Sequence, residues 1–489
     1  MAAIEGLRKE QAPKIGELAR LPATDLLEGY RIGSFTPSDV IEEVIGALEQ
    51  TDEICNVMVT QMFDSARAEA KAATRAWGSG SLIGPLTGVP ITVKDLIFVA
   101  GVPARGGAPV FEDFVPEVDS AVVTSLRKAG AIITCKTTTC ESGYKLTADS
   151  PVSGITRNPW RLDRTSGGSS GGAAAAVAAG CGPLAVGTDG VGSIRVPSSF
   201  CGVFGIKPTF GLVPRAPGFF PPSWASLAHT GPIARNVRDA ALLLEVIAGH
   251  DARDAASLPV GQRNYDTTPG RLNGVRIAFT PDFGFAAVAP DVRDAFTAAL
   301  DIFADLGADL VADDLGLDPE VLERTIKPIA YIEQAAAVLT RDHQALARSD
   351  REYQDVIARG RQYQGTDYVD AMHRRTMLRS QFLKVFQRAQ VMVTPTVAVT
   401  AFAAGNLGVD EIENRPVDPH LGWSPFSWPI NLAGLPAATI PCGFDRDGLP
   451  IGLQIIAPWL DEARIFRVAA AFEAAGPGSG RWPGFVGGG

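Results

Sequence analysis

No run of about 18 apolar residues occurs in this chain, so no segment is long and apolar enough to span a bilayer as a helix. The small-residue stretch after Gly172 comes nearest and is too broken and glycine-rich. Cysteine is sparse. Cys55, Cys135, Cys140, Cys181, Cys201 and Cys442 form no CxxC pair and have no histidine at metal spacing, which leaves reduced, packed thiols. The five histidines, His229, His250, His343, His373 and His420, lie at unrelated spacings, so neither a Ser-His-Asp triad nor a metal site nor a cofactor is expected. Basic charge is not in excess either. Lys+Arg 44 against Asp+Glu 54 gives −10, spread along the chain without a basic patch, which excludes nucleic acid as a direct ligand.

The first ten residues are charged early and lack the apolar core and cleavage site of a signal peptide, so a cytoplasmic protein is expected. No Pro/Gly/Ser-rich or charged linker divides the chain. Residues 1–489 are therefore expected to form a single large domain, and 46% hydrophobic content supplies a sizeable core.

What is present reads as alternation. Thr36-Pro37-Ser38-Asp39 caps an apolar-periodic run to Leu48, and a second helical stretch covers about 61–77. Strand patterns follow at 88–95 and 131–134, with a helix at 119–128 between them. An alanine-rich helix after Gly172, strands near Leu184 and at 202–206, a helix at 237–247 and a strand at 275–279 continue the pattern. Residues 290–388 read as almost wholly helical, a cover or insert, before strands return at 391–394, 437–440 and 452–456. This is an α/β pattern, a sheet covered by helices.

The chemistry concentrates in Thr165-Ser166-Gly167-Gly168-Ser169-Ser170-Gly171-Gly172 and Gly187-Thr188-Asp189-Gly190-Val191-Gly192-Ser193-Ile194-Arg195. Glycines let backbone N–H groups approach a substrate oxygen and permit φ > 0, as a main-chain oxyanion hole requires. A flexible linker is disfavoured because the first segment runs straight into alanines 173–179 and the apolar Leu184-Ala185-Val186. Lys94 sits on the apolar strand pattern Val89-Pro90-Ile91-Thr92-Val93. Burial there lowers a lysine's pKa and makes it a base; pairing with Asp95 or reaching to solvent is the ordinary alternative.

Together with Gly205-Ile206-Lys207-Pro208-Thr209, Gly231-Pro232-Ile233-Ala234-Arg235-Asn236-Val237-Arg238-Asp239, Asn431-Leu432-Ala433-Gly434-Leu435-Pro436-Ala437 and Gly448-Leu449-Pro450-Ile451-Gly452-Leu453-Gln454, these segments resemble the amidase signature family. The resemblance implies a mixed central β-sheet covered by helices on both faces, with the catalytic core at 60–215. It also implies a catalytic group of Lys94, Ser169 preceded by a cis peptide bond, and Ser193 as nucleophile 24 positions later. In that scheme neutral Lys94 withdraws the Ser193 proton through the Ser169 hydroxyl, and backbone N–H groups of Gly190, Val191, Gly192 and Ser193 hold the oxyanion. Ser170 either hydrogen-bonds within the site or caps the alanine-rich helix. Asp189 and Arg195 form an ion pair that orients the turn or serves structure alone.

Val191 replaces the glycine most often found there, and it is expected to narrow the oxyanion turn against bulky acyl groups. Where many relatives of the family carry aspartate in Ser-x-Asp-x-x-Gly-Pro, this chain reads Ser226-Leu227-Ala228-His229-Thr230-Gly231-Pro232, with Ala228 at that position, which is expected to remove a polar substrate contact. Phe219, Phe220 and Trp224 are expected to form one apolar wall of the pocket, or an ordinary packed loop, and Phe426 and Trp428 the opposite wall. The leading expectation is an amidohydrolase acting alone, or as a homodimer, on small amides with apolar or aryl groups, with esters and carbamates as further substrates. The amide-transfer component of a tRNA-dependent amidotransferase is the alternative, and a non-catalytic binding protein on the same fold the third.

Overall fold

The computed structural model describes residues 16–219, 226–261, 263–339, 343–477 and 480–484. Eleven strands hydrogen-bond into one sheet. In chain order they are β1 Met58–Gln61, β2 Pro90–Lys94, β3 Ile132–Thr137, β4 Leu184–Asp189, β5 Phe204–Lys207, β6 His229–Ala234, β7 Arg276–Phe279, β8 Asp309–Ala312, β9 Val391–Pro395, β10 Ala437–Phe444 and β11 Pro450–Ile456. Across the sheet they lie in the order β1-β3-β2-β4-β6-β5-β10-β11-β9-β7-β8. β3, β2 and β4 are parallel, as are β9, β7 and β8, and the other pairs are antiparallel, so the sheet is mixed.

Side chains alternate between the two faces, and each face carries its own apolar cluster. On β4, Leu184 and Val186 join one cluster and Ala185 the other; on β3, Ile133 and Ile132 divide in the same way. Helices flank the sheet. The alanine-rich helix Gly171–Ala178 has every residue buried, because methyl side chains let a helix lie close to its neighbours on all sides. Its glycines are fixed by contact: a Cβ on Gly172 would stand 2.6 Å from the Val57 carbonyl oxygen. The capping signal at Thr36 holds, with Thr36 and Asp39 forming a capping box, and the helix Pro37–Cys55 runs beyond the expected Leu48.

Two departures have clear causes. Residues 290–388 contain the helices Pro290–Asp305, Pro319–Ala337, Arg351–Gly360 and Gly365–Val385, but also β8, a four-residue edge strand on β7. Its Asp309 and Ala312 are exposed, so no buried run marks it in the sequence. β6 crosses the middle of the sheet although it contains Gly231 and Pro232, residues that argue against a central strand. Among the described residues no helix is long and apolar enough to cross a membrane.

Candidate active site

Lys94 ends β2 level with the end of β3, while the parallel neighbour β4 runs on to Asp189. Ile91 and Val93 of the same strand join one apolar cluster, so alternation turns Lys94 to the opposite face, where the alanine-rich helix packs. The lysine is fully buried. Its Nζ lies 2.7 Å from Ser169 Oγ, 2.9 Å from Ser170 Oγ and 2.9 Å from Thr188 Oγ1. Burial pushes its pKa down to about 7; Cys140 and Asp189 oppose the shift and the charge of Arg215 adds to it. Asp95 does not pair with Lys94. Its carboxylate binds Lys136 Nζ at 3.0 Å and accepts the N–H groups of Arg105 and Gly106, as the next side chain along an alternating strand must look elsewhere.

The Gly168–Ser169 peptide bond is cis. A Cβ on Gly168 would meet the Thr147 carbonyl oxygen at 2.1 Å, so only glycine fits there. Ser170 holds the N-cap position of the alanine-rich helix, yet its side chain does not cap it. The hydroxyl donates to the Thr188 carbonyl at 3.0 Å and accepts from Lys94 instead. With the Ser170 proton committed to Thr188, the Ser169 hydroxyl is left to offer its proton to a neutral Lys94. Thr188, two positions before Gly190, carried no sequence signal as a partner of the lysine.

β4 leads through the turn 190–193 into the helix Arg195–Cys201. Asp189 organises this turn from inside: Oδ1 accepts the Gly192 N–H at 2.7 Å and Oδ2 the Ile194 N–H at 3.2 Å. Arg195 closes on the same carboxylate with Nε and Nη2 both at 3.0 Å, and both residues are fully buried. Burial alone would raise the Asp189 pKa, but the Arg195 guanidinium overrides it and holds the carboxyl well below its usual range. Asn431 Nδ2 donates to Asp189 Oδ1 at 2.8 Å, and Arg195 Nη1 donates to Gln454 Oε1 at 2.6 Å. Asn431 and Gln454 belong to segments that carried the family resemblance, and only the fold brings them to this turn.

This geometry corrects the expected oxyanion set. The Gly192 N–H is spent on Asp189, whereas those of Gly190, Val191 and Ser193 have no acceptor among the described residues. Gly192 is needed for conformation, with φ +133° and no room for a Cβ beside Ser427 Oγ at 2.6 Å. The Val191 side chain packs in the core with no exposure, away from the cavity, so it does not crowd an acyl group as expected. Ser193 Oγ is buried and without a hydrogen-bond partner among the described residues.

Ser169, Gly190 and Ser193 open onto a cavity of about 620 Å³ whose apolar wall includes Leu96, Val122 and Phe219. Phe219 packs on Phe111 with ring centroids 4.3 Å apart and on Phe98 at 5.0 Å. Phe220 and Trp224 lie outside the described residues. Phe426 does not reach the cavity: it is fully buried 5.3 Å from the Phe283 ring centroid. Trp428 is buried at the start of the helix Trp428–Ala433 and does not line the cavity either. The sequence missed Arg215 on the cavity wall. His229 Nδ1 sits 3.2 Å from the Asp189 carbonyl oxygen, and burial drives its pKa well down, so it serves the turn and forms no triad. No group of three or more His, Cys, Asp or Glu among the described residues is placed to hold a metal ion.

A large mixed α/β sheet with this cleft is the architecture of C–N hydrolases of the amidase type, and residues 39–466 match the model of the Amidase family. The chain belongs to that family. It is 36% identical over 479 residues to a glutamyl-tRNA(Gln) amidotransferase subunit of Synechococcus sp. (strain RCC307), covering 92% of this chain and 96% of that one. An acylamidase of Rhodococcus erythropolis is 33% identical over 470 residues, 95% of this chain and 97% of the relative. The crystal structure of a bacterial aryl acylamidase of the amidase signature family superposes with a TM-score of 0.88 at 30% identity, covering 96% of this chain and 98% of that one.

Proposed function

We propose that this protein hydrolyses small carboxylic amides with apolar or aryl groups through an acyl-enzyme on Ser193, with Ser169 as relay and Lys94 as base. The carrying observation is the contact of a fully buried, pKa-depressed Lys94 with Ser169 Oγ at 2.7 Å, in the cavity that also holds the unpartnered Ser193 Oγ. Neutral Lys94 takes the Ser169 proton while Ser169 takes that of Ser193, and Ser193 Oγ attacks the carbonyl carbon. The N–H groups of Gly190, Val191 and Ser193 then face the developing oxyanion, where losing one donor costs a factor of about 10² to 10³. Collapse breaks the C–N bond, and the proton returns through Ser169 to the leaving amine. Water enters by the same route in reverse and frees the acid. Esters and carbamates share the carbonyl and a leaving group, so the same steps extend to them.

The identity to the amidotransferase relative supports a second reading, amide transfer within a larger assembly. Purified chain alone, offered an aryl p-nitroanilide and an aryl carbamate, separates the two. Release of the amine without any partner is expected, and Ser193→Ala should lower kcat by about 10³-fold or more. Activity seen only with added partner proteins and glutamine would establish the second reading.

A further inference from the structure

Arg215 stands on the wall of the same cavity, half-buried between Val213 and Pro217. Its backbone N–H donates to Asp254 Oδ2 at 2.6 Å, but its guanidinium has no hydrogen-bond or ion-pair partner among the described residues. The two carboxylates whose charge reaches it are engaged elsewhere. Asp254 accepts the Arg215 and Ala256 N–H groups, and Glu333 accepts the hydroxyls of Ser226 at 2.5 Å and Tyr368 at 3.0 Å. Arg253, the other cation on this cavity, is paired with Asp251 at 2.7 Å. Among the described residues this guanidinium therefore faces the cavity uncommitted, on a wall that also carries Asp254, the paired Arg253 and several hydroxyl groups. A guanidinium fork fits a carboxylate with two parallel hydrogen bonds, and one held half out of water at a cavity wall favours such an acceptor.

We propose that the substrates of this site are amides carrying a carboxylate on an apolar framework, and that Arg215 is the residue that binds that carboxylate. The inference rests on the amide-hydrolase reading above. It gives the cavity a polar anchor that orients the substrate, while Leu96, Val122 and Phe219 hold the apolar part.

Matched substrate pairs test it at pH 9, where Lys94 is neutral with or without Arg215. N-succinyl and N-butyryl p-nitroanilide place the carboxylate on the acyl side; 4-acetamidobenzoate and 4-methylacetanilide place it on the amine side. In at least one pair the carboxylated member should show a kcat/KM tenfold or more above its neutral partner, carried by KM. Arg215→Met should bring that ratio to about 1, and Arg215→Lys should keep part of it. A preference for the neutral member in both pairs, or an equal loss for both members in Arg215→Met, overturns the proposal. Calorimetric binding to Ser193→Ala makes the test independent of turnover. If no substrate is hydrolysed, the hydrolase reading fails, and a tenfold weaker affinity of the carboxylated member when Arg215→Met is added still supports the anchor. Unchanged affinity there overturns it.

Discussion

Lys94 is costly to bury and useful for the same reason. Its pKa of about 7 makes the neutral amine available at physiological pH, and the neutral form alone can accept a proton from Ser169. kcat/KM for an uncharged amide should therefore rise tenfold per pH unit through the acid limb and level off above about pH 7. A flat profile from pH 5 to 9 would contradict Lys94 as the base. Stability follows the same shift with a definite sign. An unfolded lysine titrates near about 10.4, so between pH 7 and that value the unfolded chain binds more protons and stability climbs with pH. The penalty is full below pH 7 and relieved by about pH 10.4. Lys94→Met should raise Tm at pH 6 to 7, by an amount on the order of a few kcal/mol in stability, with a gain that fades toward pH 10. Thermal unfolding across that range checks it, and a variant less stable than the parent at pH 7 would exclude the assignment. At this scale Lys94, Ser169 and Ser193 were named from the sequence through the family resemblance of their motifs. Thr188 and Arg215 were not, because a strand threonine and a loop arginine look alike whether or not they face a site.

At the scale of elements, the turn 190–193 is held from three directions. Asp189 binds its N–H groups from within, Arg195 reaches to Gln454 on β11, and Ser427 Oγ donates to the Val191 carbonyl at 2.7 Å beside the helix Trp428–Ala433. Arg195→Met leaves Asp189 charged, buried and without its cation, a change that costs about 3 to 5 kcal/mol. Chemical denaturation should show that loss together with a collapse of activity, since the free N–H groups of the turn lose their support. A variant within about 1 kcal/mol of the parent would mean that Asn431 alone suffices to hold the carboxylate. The helix Val237–Ile247 was legible end to end because Asn236 caps it and its apolar period is clean. β8 was not, because an edge strand buries too little to leave a pattern.

Over the whole molecule, the helical cover is fastened to the loop that lines the cavity. Glu141, two residues from Gly143, accepts the Ser349 hydroxyl at 2.6 Å and the Asp350 N–H at 2.9 Å, and Lys145 binds Asp149 and Asp350. The helical region 290–388 thus braces the loop that lines the cavity and, among the described residues, contributes none of those lining it. The proposed mechanism takes its reacting groups from Lys94, Ser169 and Ser193 and needs no metal. Amide hydrolysis by the purified chain should accordingly be unchanged by EDTA, and a loss of activity restored by added zinc would reveal a metal site beyond the described residues.

The amino-acid sequence by itself determined the α/β class and the family and, through the resemblance of its motifs, the lysine and two serines of the proposed mechanism, because periodicity, capping and motifs are local properties of the chain. Tertiary structure alone decided which N–H groups of the turn lack an acceptor among the described residues, that Val191 turns into the core, that Phe426 and Trp428 stay away from the cavity, and that Arg215 faces it without a partner for its guanidinium among those residues. Those outcomes depend on which atoms distant segments bring within hydrogen-bond reach. Asp189, Asn431 and Gln454 meet only after β4, the helix Trp428–Ala433 and β11 have packed together.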